Sequence, residues 1–390
     1  MFSKLSKKAL LKAVITKNQP IYVQFYITAR CNLTCQQCNI IYANSDLPEC
    51  TIDDVQRIAD NFAELGVAIV LLTGGEPFVR KDLPEIIHAF ESRGVHVRMQ
   101  TNGLATEEQI IAAIEAGGKD ISISLDTLIP DSQDKINGDF TQSWYSALES
   151  AARFTKYLPK KDSFASFGCV MQRDNLDQIE GVIKFATDIS WYTSLVPVHV
   201  TKNTHPLGFR TFDQSQKFLE NEIPIIDALI ERIRKMRKDG YLLYDSNQYL
   251  DDIKQFIRKP NNTTWRKKNN NICDSPNLYF AVLPSGEFAP CCDHRIKERI
   301  MCQSGTFIEN YKSKKLRAIT NEVVSACSGC MYGSYPEITI STRYLAAQLD
   351  RIPIFFTKPK EKNWPVSYEK MLIIAENYQK ESFQRSLVNA

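Results

Sequence analysis

The chain has no apolar run approaching the ~18 residues that a membrane-crossing helix needs, and its mean hydropathy is −0.28. An excess of one charge sign is also missing. Lys and Arg number 48 against 45 Asp and Glu, a net charge of +3, which provides no electrostatic footprint for nucleic acid. The opening MFSKLSKKALLKAVITK is basic, but it lacks the uninterrupted apolar stretch and the small-residue cleavage site of an export signal. It reads as a surface helix packed under the first strand. A loose membrane contact is the weaker reading, because its lysines fall among the apolar positions. Histidine is scarce, with five residues, and no internal repeat occurs. Cysteine is plentiful, with eleven residues. Without an export signal a disulfide framework is not expected. In a reducing cytoplasm, the expected location, clustered thiols more often hold metal.

From residue 20 to about 200 strands and helices alternate. IYVQFYIT is followed by a helix that Thr51 opens and Gly66 closes, with Val55, Ile58, Phe62 and Leu65 on one face. VAIVLLT, VHVRMQ, DISISLD, FASFGCVM and YTSLVPVHV complete six strand candidates. Thr106 and Gln109 form a capping box before the helix that follows the third. Such βα alternation predicts parallel strands with right-handed crossovers, either as an open doubly wound sheet or as a partial barrel. Beyond residue 210 the spacing predicts a long charged helix over 212–239, a mobile Asn-rich linker over 259–271, and a hairpin turning at Ser285-Gly286.

Cys31, Cys35 and Cys38 sit on the loop that leaves the first strand, where α/β folds gather ligands. A structural zinc site wants four ligands, and the nearest further cysteine, Cys50, is twelve positions on. Three thiolates on an iron–sulfur cluster leave one iron open for substrate.

Cys-x3-Cys-x2-Cys after a first strand resembles the signature of the radical SAM enzymes. Further stretches fit in order: Gly74-Gly75-Glu76-Pro77 after the second strand, Thr101-Asn102-Gly103 after the third, and Ser124-Leu125-Asp126 on the fourth. CVMQRDNLDQI, on the fifth, is similar to the segment that reaches the adenine side. The resemblance implies a partial (β/α)6 TIM-type barrel. It also implies a [4Fe–4S] cluster on Cys31, Cys35 and Cys38 whose open iron chelates S-adenosylmethionine (SAM). One electron would then cleave SAM to a 5′-deoxyadenosyl radical that abstracts hydrogen. Gln37, Gly74, Gly75, Glu76, Pro77, Asn102, Ser124 and Asp126 are the implied SAM contacts, with Glu76 accepting from the SAM ammonium. Gln37 departs from the family, which often has an aromatic residue there.

Cys273, Cys291, Cys327 and Cys330 form a second set. Alone, four thiolates suit zinc or a [4Fe–4S] cluster. Beside the first motif they resemble a C-terminal twitch (shortened SPASM) domain with one auxiliary [4Fe–4S] cluster. Cys302 or Cys292 is a substitute ligand on spacing alone, and Cys50 and Cys169 read as packed thiols. The implied organisation is an extension (1–19), the radical SAM core barrel (20–210), a helical bridge and linker (211–272), the twitch domain (273–335) and a helical tail (336–390). His199, near the end of the sixth strand, is the candidate catalytic residue. His88 reads as solvated, His96 lies away from the active face, and His294 is a loop or second-shell candidate. The implied reaction is hydrogen abstraction from a small polar, sugar- or nucleoside-like metabolite, with flavodoxin or ferredoxin as reductant. A peptide maturase is the alternative, weakened because only about 20 residues precede the first strand, too few for a peptide-recognition domain of about 80. A metal-binding module without chemistry ranks last.

Overall fold

A computed structural model describes residues 4–35, 37–38, 46–199, 216–259, 262–356 and 362–389. Its centre is a sheet of eight strands. Six are the expected ones: β1 (Tyr22–Thr28), β2 (Ile69–Gly74), β3 (His96–Thr101), β4 (Asp120–Ser124), β5 (Phe164–Met171) and β6 (Tyr192–Pro197). They pair in parallel and in sequential order, without reversal. Crossovers of one hand then place the connecting helices on one face, and the sheet curls into a partial barrel. A doubly wound sheet would need a point where strand order turns back.

Local signals match this order. Thr51 caps the helix Ile52–Leu65 through a capping box with Asp54, and Gly66 ends it at φ 75°. Thr106 and Gln109 form the second box, opening Glu107–Glu115. Val23, Phe25, Ile27, Val70, Leu72, Val97 and Ile121 face those helices and are fully buried. Complete burial of each such side chain contributes about 1.5–3 kcal/mol. The alternate positions carry different chemistry. Tyr22, Gln24, Tyr26, Arg98, Ser122 and Ser166 point the other way. Arg98 lies over the rings of Phe164 and Tyr244, at 5.3 and 4.9 Å, and donates to Ser166 Oγ. The barrel interior is therefore polar and aromatic.

The hairpin lies elsewhere than in a separate layer. Its first strand, β7 (Tyr279–Val282), pairs in parallel with β1, and β8 (Phe288–Ala289) follows antiparallel. Phe280 packs edge-on against Phe62 at 5.7 Å, so the hairpin shares the barrel's own core. The amino-terminal helix Lys4–Thr16 lies at the opposite end of the strands from their carboxyl termini. Ser6 Oγ donates to Gly94 O and Gln19 Nε2 to Gly66 O, both just ahead of strands.

The charged helix covers Ile223–Lys238, shorter than expected, and residues 212–215 lie outside the described set. The expected mobile linker is a correction. Residues 264–267 form a helical turn, and Trp265 is buried. Asp252, itself fully buried, accepts from Thr264 N, Thr264 Oγ1 and Trp265 N at 2.6, 2.7 and 3.0 Å. A long asparagine run hid one anchoring tryptophan. The tail is helical, and Trp364 Nε1 donates to Ile189 O while Tyr378 Oη donates to Asp188, strapping it to the barrel's outer layer.

Asp252→Ala strips three donors of their acceptor and should cost about 1–3 kcal/mol in a denaturant titration. Trypsin should then cut at Arg266, Lys267 or Lys268 faster than in the parent chain. Equal cutting rates would mean that this carboxylate does not anchor the segment.

Candidate active site

The cysteine loop begins where β1 ends and is zipped to the end of β2. Gly75 N donates to Thr28 O and Glu76 N to Arg30 O, both at 2.8 Å. A Cβ on Gly74 would lie 2.2 Å from Thr28 O, and one on Gly75 would lie 2.0 Å from Arg30 O. Gly74 also sits at φ 145°. Gly74 therefore requires glycine for close approach and for conformation, and Gly75 for close approach. Arg80, 5% exposed, closes the stem of the loop. Its guanidinium donates to Ile27 O (2.9 Å) at one end and Cys50 O (3.0 Å) at the other, and it pairs with Asp82 at 2.5 Å. Sequence reasoning missed Arg80, since a single arginine after Gly74-Gly75-Glu76-Pro77 carries no signal of burial.

Cys31, Cys35 and Cys38 are half-buried on this loop. Cys38 N donates to Cys35 O, Leu33 N to Cys31 Sγ, and the Cys35 thiol to Asn137 Oδ1 at 3.5 Å. Burial, joined by repulsion from Glu76 and then Cys38, pushes the Cys31 thiol up to about 11. Burial and the other two thiols push Cys35 higher still. Thiols kept protonated in this way ionise when a bound cationic group compensates them. Cys50 is buried in the apolar layer and takes no part. Among the described residues no three His, Cys, Asp or Glu side chains converge tightly enough for one metal ion.

The strand ends around the loop are tied by buried carboxylates. Glu76, 2% exposed, accepts from Phe78 N, Thr101 Oγ1 and Asn102 N at 3.0, 2.8 and 2.7 Å. Burial pushes it up to about 7. Two of its three bonds fall on Oε1, so Oε2 keeps an acceptor position. Pro77 follows as the first residue of a short 3-10 turn. Asn102 Nδ2 donates to Asn32 Oδ1 beside Cys31. Asp126, 1% exposed, accepts from Val170 N at 2.6 Å and from Gln37 Nε2 at 3.0 Å. It is a strut between β5 and the cysteine loop, and burial raises it to about 7. Ser124 ends β4, half-buried. Gln37 Oε1 is buried with no hydrogen-bond partner among the described residues.

The second cysteine set comes together from three parts of the chain. Cys273, Cys291, Cys327 and Cys330 line one pocket with Trp265, Asp293 and His294. Burial, with the Cys291 and Cys327 thiols adding to it, pushes Cys273 up to about 12. Cys302 does not line this pocket; it is fully buried in the layer that holds Phe280 and Phe307. Cys292 is buried in the cluster that holds Tyr26 and Tyr335. His199 joins this set to the barrel mouth. Its Nε2 accepts from Met331 N at 2.9 Å, and its ring stacks on Tyr332 at 3.8 Å. Burial lowers its pKa to about 3, so the imidazole is neutral. His88 is exposed, and His96 is buried against Asp120 at 3.0 Å, both away from the site. His205 lies outside the described residues.

A family model described as "Radical SAM superfamily" matches residues 25–186. A probable GTP 3′,8-cyclase of Pyrococcus abyssi is 30% identical over 219 residues, 56% of this chain and 70% of that protein. A PqqA peptide cyclase of Ruegeria pomeroyi is 32% identical over 180 residues, 45% of this chain but only 46% of that protein. Among solved structures, Streptococcus suis SuiB bound to S-adenosylmethionine matches with a TM-score of 0.58 at 15% identity, over 85% of this chain and 79% of that one. That fold, and the cyclase relative matched over most of its length, agree with the glycine-zipped cysteine loop: the chain belongs to the radical SAM superfamily, whose members are enzymes using a [4Fe–4S] cluster and SAM.

Proposed function

We propose that the chain takes a hydrogen atom from a small polar, sugar- or nucleoside-like metabolite. The observation that carries this is the polar barrel interior lined by Gln24, Arg98 and Ser166, to whose wall at β6 the segment after Cys330 is tied by the Met331 N to His199 Nε2 bond. Bound at the first group, a [4Fe–4S] cluster and SAM supply a 5′-deoxyadenosyl radical when one electron arrives. Cys31, Cys35 and Cys38 would hold that cluster, three thiolates being one fewer than its irons. Gly74, Gly75 and Pro77 carry the backbone close to the methionine part, and the free acceptor position of Glu76 takes a hydrogen bond from its ammonium. Asn102 steadies the same end. Ser124 and Asp126 hold the ribose side, and the orphaned Gln37 Oε1 accepts from the adenine amine. Gln24, Arg98 and Ser166 supply the hydrogen-bonding wall that a hydroxylated substrate needs.

The quartet Cys273, Cys291, Cys327 and Cys330 holds an auxiliary [4Fe–4S] cluster that assists oxidation or substrate binding. The segments 20–210 and 273–335 act as core and twitch domains, with 1–19, 211–272 and 336–390 as extension, bridge and tail. Flavodoxin or ferredoxin is the reductant. A second reading, a peptide maturase, draws support from the PqqA peptide cyclase relative and from SuiB, which is also solved with its precursor peptide SuiA.

Protein purified without oxygen should contain about eight irons, from two four-iron clusters. About four would leave zinc or nothing on the quartet. With SAM and dithionite it should release 5′-deoxyadenosine, and Cys35→Ala should abolish that release. Persistence of SAM cleavage would remove Cys31, Cys35 and Cys38 from their role. Cys327→Ala should keep cleavage but lose substrate conversion, and unchanged conversion would exclude the quartet from the reaction.

Gly75→Ala forces Arg30 O away from β2, an overpacking worth about 1–3 kcal/mol. Iron should fall to about four per chain, all on the quartet. Full iron content and normal cleavage in this variant would show that the zipper does not position the loop.

A further inference from the structure

The amino-terminal helix Lys4–Thr16 is held by one face and bare on the other. Ser6 and Ala13 are fully buried against the barrel. Leu5, Leu11 and Ile15 are 61%, 64% and 71% exposed, and Lys7, Lys8 and Lys12 are exposed among them. No acidic residue occurs in residues 1–17. The neighbouring loops add charge of the same sign. Lys119 precedes β4, Lys160 and Lys161 precede β5, and all three are exposed. Lys7 and Lys119 both lie within electrostatic reach of Asp162, so helix and loops share one surface.

We propose that this end of the barrel docks on an anionic lipid surface. Charge complementarity selects the partner's sign, and shape selects its kind. A helix on the outside of a barrel is a convex ridge, with no groove to enclose a peptide. A bilayer yields to a ridge, taking Leu5, Leu11 and Ile15 among its acyl chains while lysines meet the headgroups. Stable anchoring takes two signals, and apolar insertion plus a basic patch provides both. The docked face is the amino-terminal end of the strands, so the cysteine loops at the carboxyl ends stay open to solvent.

Iron-loaded, full-length protein is mixed with vesicles of phosphatidylcholine alone or with added phosphatidylglycerol, then sedimented. Binding to the anionic vesicles should exceed binding to the neutral ones by about tenfold or more at low salt, and high salt should remove the excess. The combined variant Lys7→Glu, Lys8→Glu, Lys12→Glu should bind both vesicle types equally. Leu11→Ser with Ile15→Ser should weaken anionic binding about tenfold or more. Both variants should keep SAM cleavage, which reports that they fold. Equal partition of the parent chain between the vesicles, or full anionic binding by the lysine variant, overturns the proposal. So does a parent that binds polyglutamate in preference to vesicles. A parent of twice the monomer mass that becomes monomeric in the Leu11/Ile15 variant also overturns it, because a second copy then covers this face.

Discussion

The closest backbone approach in the site lies between the end of β2 and the start of the cysteine loop, where no Cβ fits. Everything the loop does depends on that contact. Two amide bonds, Gly75 to Thr28 and Glu76 to Arg30, set where the loop leaves the sheet. Arg80 then ties both ends of its stem to one rigid guanidinium. Three thiols spread over eight positions would otherwise sample many arrangements, and ordering them would cost backbone entropy at every turn. Here much of that ordering is built into the sheet.

Close approach brings a second constraint, the burial of charge. Glu76 and Asp126 are nearly inaccessible, and desolvation raises both toward neutrality. Each is stabilised by donors from different strands, so the carboxylates act as cross-braces between β2, β3, β4 and β5. A carboxylate with remaining acceptor capacity in such a place interacts strongly with any cation that enters, because little water screens it. The bracing and the readiness for a cationic ligand thus come from one physical cause.

Much of this was legible in the chain, and the reasons are local. Strands β1 to β6 announced themselves by short apolar runs, and the capping boxes at Thr51 and Thr106 by their own spacing. The four quartet cysteines were picked from eleven by pattern, and one pocket gathers them. What stayed hidden was long-range. Nothing in YFAV says that it will pair with β1, some 250 residues earlier. Arg80 meets Ile27 and Cys50, and Asn137 meets Cys35, through partners distant in sequence. The asparagine-rich stretch misled because its composition outweighed one tryptophan, whose burial anchors the segment.

His199 shows why position alone does not make a base. It stands at the end of β6, where a substrate-facing histidine would be expected. Its Nε2 accepts from Met331, and its other hydrogen-bond partner is the backbone of Pro197. Proline has no N–H, so that bond must run from Nδ1–H to the Pro197 carbonyl. Both ring nitrogens are therefore committed, and the tautomer is fixed. Taking up a proton would break the Met331 bond and place a charge in a dry site, which is why the pKa falls so far. The imidazole is a neutral wedge: it fixes the segment beyond Cys330 to β6, and through Ser334 and Tyr22 that same segment reaches β1. The edge of the open barrel is thus bridged, between β6 and β1, by the stretch that follows two quartet thiols.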